Sequence, residues 1–296
     1  MHKNPRNKLS RRSFLASSLR AALFGTYALN SNARTQTPWS NWSGGLSCNP
    51  KGRFDIAAEN QLIDLLRETS GPIRPVGSGH SFSPLVPTDG HLIVIDQLSG
   101  VFDHDSQSLQ ATVGAGTRLG DLGAPLFDIG QGMLNLPDID RQTVAGATAT
   151  GTHGTGINFK SLSGYITGLR IITASGEVKD IDANHGDLFD AARVNLGALG
   201  IVTQIRMQNR KSFKLKKREW TAPTEELLQD FDSLAESHRQ FEIFPLVYSD
   251  YSLALAIDET EQPIGQTIAP AQEVELADLR PLGVNAKPAE KLAMNN

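Results

Sequence analysis

The chain has 296 residues, 39% of them hydrophobic, and a formal net charge of −4. That length admits one large or two ordinary domains with a substantial buried core, and the mild acidity excludes the electrostatic footprint of a nucleic-acid binder. A single cysteine, Cys48, excludes an intrachain disulfide and any multi-cysteine metal site.

The amino terminus reads as an address. Ser10-Arg11-Arg12-Ser13-Phe14-Leu15 follows a basic segment, an apolar stretch runs to Leu29, and the small residues of Ser31-Asn32-Ala33 suit a cleavage site. Residues 1–33 are therefore expected to be a twin-arginine signal peptide, handled by the twin-arginine export machinery and giving a periplasmic or secreted protein. Arg20 interrupts the apolar stretch, which is too short to span a bilayer, so no stable membrane anchor is expected. A disordered basic tail is the alternative.

A short strand is expected at Trp39-Ser40-Asn41-Trp42. From Ala57 to Thr69, Ala58, Leu62, Leu65 and Leu66 share one helical face, which predicts a helix packed on a sheet. Runs at Ile73 to Val76, Leu92 to Ile95 and Leu109 to Val113 read as short strands. Leu119, Leu122, Leu126 and Ile129 have helical spacing, with Pro125 placed to break it. Ser175-Gly176 joins two strands, Ile166 to Thr173 and Glu177 to Ile181, as a hairpin; a helix at Asp187 to Val194 and a strand at Ile201 to Met207 follow.

The basic run from Lys211 to Arg218 reads as a solvated strand at a domain edge. A second domain then opens, with one helix over Glu225 to Glu236 and paired strands at Phe241 to Val247 and Tyr251 to Ile257. From Glu259 the chain is rich in Pro, Gln, Glu, Ala and Lys without periodicity, so residues 259–296 are expected to be a disordered tail.

Three glycine-rich pieces carry the chemistry. Gly77-Ser78-Gly79-His80-Ser81 follows a strand, and its glycines allow successive backbone N–H groups to turn inward as an anion cradle, with His80 a potential nucleophile toward the bound group. The same composition also makes ordinary turns. Val144 to Gly156 is almost wholly small or hydroxyl-bearing, which lets backbone approach a flat ligand or a phosphate closely. Asn195-Leu196-Gly197-Ala198-Leu199-Gly200-Ile201-Val202-Thr203 leads from a helix end into a strand. His91, His104, His185 and His238 lack metal-type spacing, so no metal is expected; neither G-x-x-x-x-G-K-[ST] nor G-x-S-x-G occurs, which argues against nucleotide and serine hydrolases.

Together and in this order the three pieces resemble the vanillyl-alcohol-oxidase superfamily of flavoproteins, and within it the aldonolactone (L-gulono- and D-arabinono-1,4-lactone) oxidases and alditol oxidases. The resemblance implies an α+β fold: a two-subdomain FAD-binding domain of the vanillyl-alcohol-oxidase (PCMH) type over 39–210, followed by a partial α+β substrate domain over 211–258. It implies FAD as cofactor, joined covalently through His80 to the flavin 8α-methyl group. Gly77, Ser78, Gly79 and Ser81 would bind the pyrophosphate. Gly146, Thr150, Gly151, Thr152, His153 and Gly154 would line the flavin, and Ile201 and Val202 would face it from a strand. Cys48 has no counterpart as a second flavin attachment.

The implied reaction is oxidation of a CH–OH group of a polyol or sugar lactone, with dioxygen as acceptor and hydrogen peroxide as product. Relatives place polar residues near the substrate where Asp138, Asp140, Gln142 and Thr143 stand, although both aspartates also read as loop ends capping the next helix. His153 reads equally as a local hydrogen-bonding residue, and no catalytic residue is assigned. The family's closing His-Trp-Gly-Lys segment and its Glu-x-Arg pair are missing from the sequence. Slow turnover, or an inactive flavin-binding remnant, is therefore the expected alternative.

Overall fold

The computed structural model describes residues 38–263 and Gly265; the expected signal segment (1–33) and almost all of the expected tail lie outside them. Strands β1 (Trp39–Ser40) and β2 (Ser47–Cys48) pair antiparallel at the start. β3 (Gly52–Asp55), helix α1 (Glu59–Glu68), β4 (Ile73–Val76) and β5 (His91–Val94) follow, and the strands form a parallel sheet in the order β3-β5-β4. Central β5 is the apolar one, with Leu92 and Ile93 wholly buried, as a parallel strand covered on both faces requires. Pro75 is tolerated because β4 is an edge. Helix α1 buries Leu62 and Leu66, one turn apart, with Glu59 in its first turn and Arg67 in its last, both suited to the helix dipole.

The second sheet is antiparallel. β6 (Val101–Asp105) and β7 (Gln110–Gly114) form its first hairpin, and α2 (Gly123–Asp128), β8 (Gln131–Gly132) and α3 (Val144–Ala149) come next. β9 (Ile166–Ile172) and β10 (Val178–Asp182) form a second hairpin across the expected turn; α4 (Asp187–Arg193) and β11 (Ile201–Gln208) complete the unit, in the order β10-β9-β11-β7-β6. Pro125 does not break the helix. It is the third residue of α2, where its missing N–H would have had no intrahelical partner, and a 3-10 turn at Leu119–Leu122 supplies the preceding apolar positions. One continuous core joins the two sheets, with Leu62 and Ile93 from the parallel side and Val113, Ile171, Ile172 and Ile205 from the antiparallel side.

β12 (Arg210–Lys211) pairs back onto β8, after which β13 (Leu215–Pro223), α5 (Thr224–Gln229), α6 (Phe231–Ser237), β14 (Gln240–Pro245) and β15 (Tyr251–Glu259) form a separate layer. Its sheet order is β13-β15-β14, and Leu227, Phe241, Ala254 and Ala256 make its own small core. Lys216, Lys217 and Arg218 occupy the exposed part of edge strand β13. The single helix expected over Glu225 to Glu236 is corrected to two, divided at Asp230, whose N–H closes α5 onto the Glu226 carbonyl. Leu228 is exposed, and Leu234 of α6 packs on the Leu227 cluster.

Polar contacts bind this layer to the rest. Gln240 Nε2 donates to Asn135 Oδ1 at 2.7 Å, the Arg239 guanidinium reaches the Leu134 carbonyl and lies 4.4 Å from the Phe159 ring, and Thr155 Oγ1 donates to Glu242 Oε1 at 2.7 Å. Among the described residues no helix is long and apolar enough to cross a membrane.

Candidate functional site: a groove between the two sheets

An open groove runs between three chain segments: 74–81 at the end of β4, 142–150 around α3, and 195–202 leading into β11, with Leu85, Val86 and Ile95 completing its apolar side. Among the described residues Arg74 is the one formal charge in its lining and no carboxylate lines it, so the groove favours an anion.

The first wall is the Gly77–Ser81 loop, and its hydrogen bonds are one-sided. The Gly79 carbonyl accepts from Trp42 N at 3.1 Å, the His80 carbonyl from Trp42 Nε1 at 3.1 Å, and the Ser81 carbonyl from Asn41 Nδ2 at 3.2 Å. Among the described residues, none accepts from the backbone N–H groups of Gly77, Ser78, Gly79, His80 and Ser81. Five consecutive donors beside a carboxylate-free groove are suited to phosphate oxygens.

Glycine is required twice in this loop. At Gly77 an added Cβ would meet Thr143 Oγ1 at 2.0 Å; at Gly79 φ is +68° and a Cβ would lie 3.1 Å from the Trp39 ring. Ser78 Oγ donates to the Arg141 carbonyl at 2.6 Å, tying the loop to the opposite wall. His80 is half-buried in the groove lining, stacked on Trp42 at 5.3 Å, and neither of its ring nitrogens has a hydrogen-bond partner among the described residues.

The second wall is α3. Thr143 caps it, its Oγ1 accepting from Gly146 N at 3.3 Å, so the capping role expected of Asp138 or Asp140 falls to Thr143. Val144, Ala147 and Thr148 are buried, which leaves Ala145, Gly146, Ala149 and Thr150 toward the groove as a surface with little side-chain bulk. Gly151, Thr152, His153 and Gly154 stand outside the groove lining. The N–H groups of Gly151 and Thr152 close the helix onto the Thr148 and Ala147 carbonyls. His153 Nδ1 lies 3.0 Å from the Gly154 carbonyl, and a Cβ on Gly154 would strike the Leu136 carbonyl at 2.0 Å.

Ile201 and Val202, both nearly buried, form the third side with Asn195, Leu196 and Gly197. Asn195 holds that turn, accepting from Gly197 N at 2.6 Å and donating to the Ala192 carbonyl at 2.7 Å. Gln142 and Thr143 line the groove, whereas Asp140 pairs with Arg141 on the exposed rim and Asp138 stands beside Glu242. Burial, reinforced by Asp138, pushes the Glu242 carboxyl above its ordinary range despite the Thr155 hydrogen bond. The residue list expected from sequence missed Arg74, Leu85, Val86, Ile95 and Asn195, ordinary residue types that matter only through position.

These features fit FAD. The free amides of 77–81 suit its pyrophosphate, the small wall of α3 admits a flat ring, and His80 offers a free imidazole edge within the same lining.

Residues 55–182 match the family model described as FAD binding domain. A cholesterol oxidase from Brevibacterium sterolicum superposes with a TM-score of 0.70 at 18% identity, covering 78% of this chain and 49% of that one. The chain thus carries an FAD-binding domain of the vanillyl-alcohol-oxidase (PCMH) type, followed by part of a second α+β layer.

Within that class its curated relatives act on sugar lactones. An L-gulono-1,4-lactone dehydrogenase of Mycobacterium tuberculosis is 37% identical over 229 residues, 76% of this chain and 53% of the relative. A bovine L-gulonolactone oxidase is 28% identical over 76% of this chain and 52% of its own length. The chain spans about half the length of the curated relatives it matches.

Proposed function

We propose that the chain binds FAD in this groove, covalently through His80, and oxidises a CH–OH group of an aldonolactone or sugar alcohol with dioxygen as acceptor and hydrogen peroxide as product. The observation that carries the reading is the run of five amides from Gly77 to Ser81 that have no acceptor among the described residues, in a groove whose described lining holds no carboxylate. The names of the relatives support a sugar-lactone substrate.

When bound, FAD supplies the two-electron acceptor for the hydride that leaves the substrate carbon. The chain's residues do the positioning. The 77–81 amides and Arg74 hold negative charge, Ala145, Gly146 and Ala149 allow close approach of a ring, and Ile201, Val202, Leu85 and Val86 keep one side of it dry. The twin-arginine pair Arg11-Arg12 supports export of the folded, flavin-loaded chain.

The test is anaerobic mixing of the purified yellow protein with L-gulono-1,4-lactone or xylitol. Bleaching of the flavin followed by rapid recovery and peroxide release on admitting air is the expected result. Bleaching that only an artificial dye reverses would make dioxygen the wrong acceptor, and a flavin that never bleaches would leave a flavin-binding unit without turnover. Failure to bind FAD at all would sink the proposal. For export, changing both Arg11 and Arg12 to Lys should trap the precursor in the cytoplasm, because the receptor reads the guanidinium pair rather than charge alone; unchanged export would remove the twin-arginine reading.

A further inference from the structure

Trp42 stands outside all three glycine-rich segments, yet it holds the loop that carries His80 at three points. Its backbone N–H takes the Gly79 carbonyl, its indole N–H takes the His80 carbonyl at 3.1 Å, and its ring lies against the His80 imidazole with centroids 5.3 Å apart and planes only 15° from parallel. Phe82 meets the indole edge-on at 5.6 Å, so Trp42 is held between His80 and Phe82. Burial does not explain this arrangement, since Trp42 is 56% exposed and Phe82 71% exposed.

A histidine has two rotatable side-chain bonds, the second with a broad, shallow preference. An aromatic face packed on the ring narrows that preference and leaves the ring edge, with both nitrogens, free. Fixing an attacking atom in line is worth much of a rate when two groups must form a bond.

We infer that Trp42 is a positioning residue for flavin attachment, holding the His80 imidazole edge toward the groove while fixing its backbone carbonyl. The inference rests on the covalent reading of His80 proposed above. In that attachment an imidazole nitrogen forms a bond to the flavin 8α-carbon, and one hydrogen leaves the imidazole while another leaves the methyl group. Their two electrons pass to the isoalloxazine and then to dioxygen, which departs with both protons as hydrogen peroxide.

The full chain, Trp42→Ala, Trp42→Phe and His80→Ala are each prepared without flavin, mixed with FAD in air, and sampled over time for yellow colour that stays with acid-precipitated polypeptide. Fluorescence quenching measures FAD affinity, and thermal unfolding measures folding. His80→Ala should bind FAD and release all of it in acid. Trp42→Ala, compared at saturating FAD so that any change in affinity does not enter, should attach it at least about tenfold more slowly than wild type. Trp42→Phe keeps an aromatic face and loses the indole donor, so its rate should fall between the two.

Attachment at the wild-type rate in Trp42→Ala overturns the inference while leaving the covalent reading intact. Should Trp42→Ala not fold, Trp42→Phe decides, and a wild-type rate there overturns it equally. Wild-type protein that releases all its flavin in acid, or His80→Ala that retains it, overturns the covalent reading itself and the role of Trp42 with it.

Discussion

The loops at Gly77–Ser81 and Gly151–Gly154 are built from the same residue types, glycine, a hydroxyl side chain and one histidine, and they use them in opposite ways. In the first, the carbonyls are tied to Asn41 and Trp42 and the amides have no acceptor among the described residues. In the second, two amides seal the end of α3 and Gly154 makes room for the Leu136 carbonyl. Composition alone therefore does not say whether a loop's backbone amides are left without a protein acceptor or spent on the fold. What separates them is where each backbone hydrogen bond goes.

Glycine replacement is the strongest way to break that contrast. Gly77→Ala places a methyl 2.0 Å from Thr143 Oγ1, inside the cap of α3, and should cost about 1–3 kcal/mol of stability. It should also weaken FAD binding at least about a hundredfold, because both groove walls shift; titration by fluorescence quenching measures this. Gly154→Ala meets the Leu136 carbonyl at the same 2.0 Å and should lose comparable stability in thermal unfolding. FAD affinity in the folded fraction should stay within about threefold of wild type. A large loss of FAD affinity in Gly154→Ala would show that both loops face the cofactor, and the contrast would be wrong.

Smaller changes sharpen it. Ser78→Ala removes the 2.6 Å hydrogen bond to the Arg141 carbonyl, a contact between the walls worth about 0.5–1.5 kcal/mol, and should lower FAD affinity a few-fold without moving the unfolding temperature much. The smallest effect concerns Glu242, which receives the Thr155 hydroxyl just beyond the second loop. Burial and Asp138 raise its carboxyl above the ordinary range, so the folded state holds the proton more tightly than the unfolded chain does. Stabilisation linked to that proton is complete below the ordinary glutamate range and is lost as pH rises through the raised one. Glu242→Gln keeps an acceptor for Thr155 and has no such proton, so it should gain on wild type in unfolding temperature as pH rises from 4 to 8. A constant difference across that interval would count against the raised carboxyl.

Much of the frame was legible in the sequence. Leu62 and Leu66 announced α1 by their spacing, Ser175-Gly176 announced the β9–β10 hairpin, and part of each of the three glycine-rich segments lines one groove. What escaped has physical reasons. β3 reads Gly-Arg-Phe-Asp, with no alternation, and is a strand only because β5 pairs with it in parallel from some forty residues away. The break at Asp230 leaves no mark on the periodicity, because Leu227 and Leu234 are two helical turns apart and keep one face whether or not the helix is interrupted. Trp42 read as an ordinary residue at the end of a short strand; its contacts with His80 cross 38 positions of sequence.

The placement of β11 has a kinetic consequence. It is the last of its sheet's five strands to be synthesised, yet it lies in the middle, pairing with β9 on one side and with β7 on the other, where Gln204 meets Gly114. Until β11 inserts, the β6–β7 and β9–β10 hairpins have no strand between them and the groove lacks its Ile201–Val202 side. Closing a pairing across that many residues is slow relative to forming either hairpin. For a nascent chain the groove is therefore completed late: a ribosome that has passed Asp182 has delivered both hairpins, but the Ile201–Val202 side closes only after Gln208 has emerged.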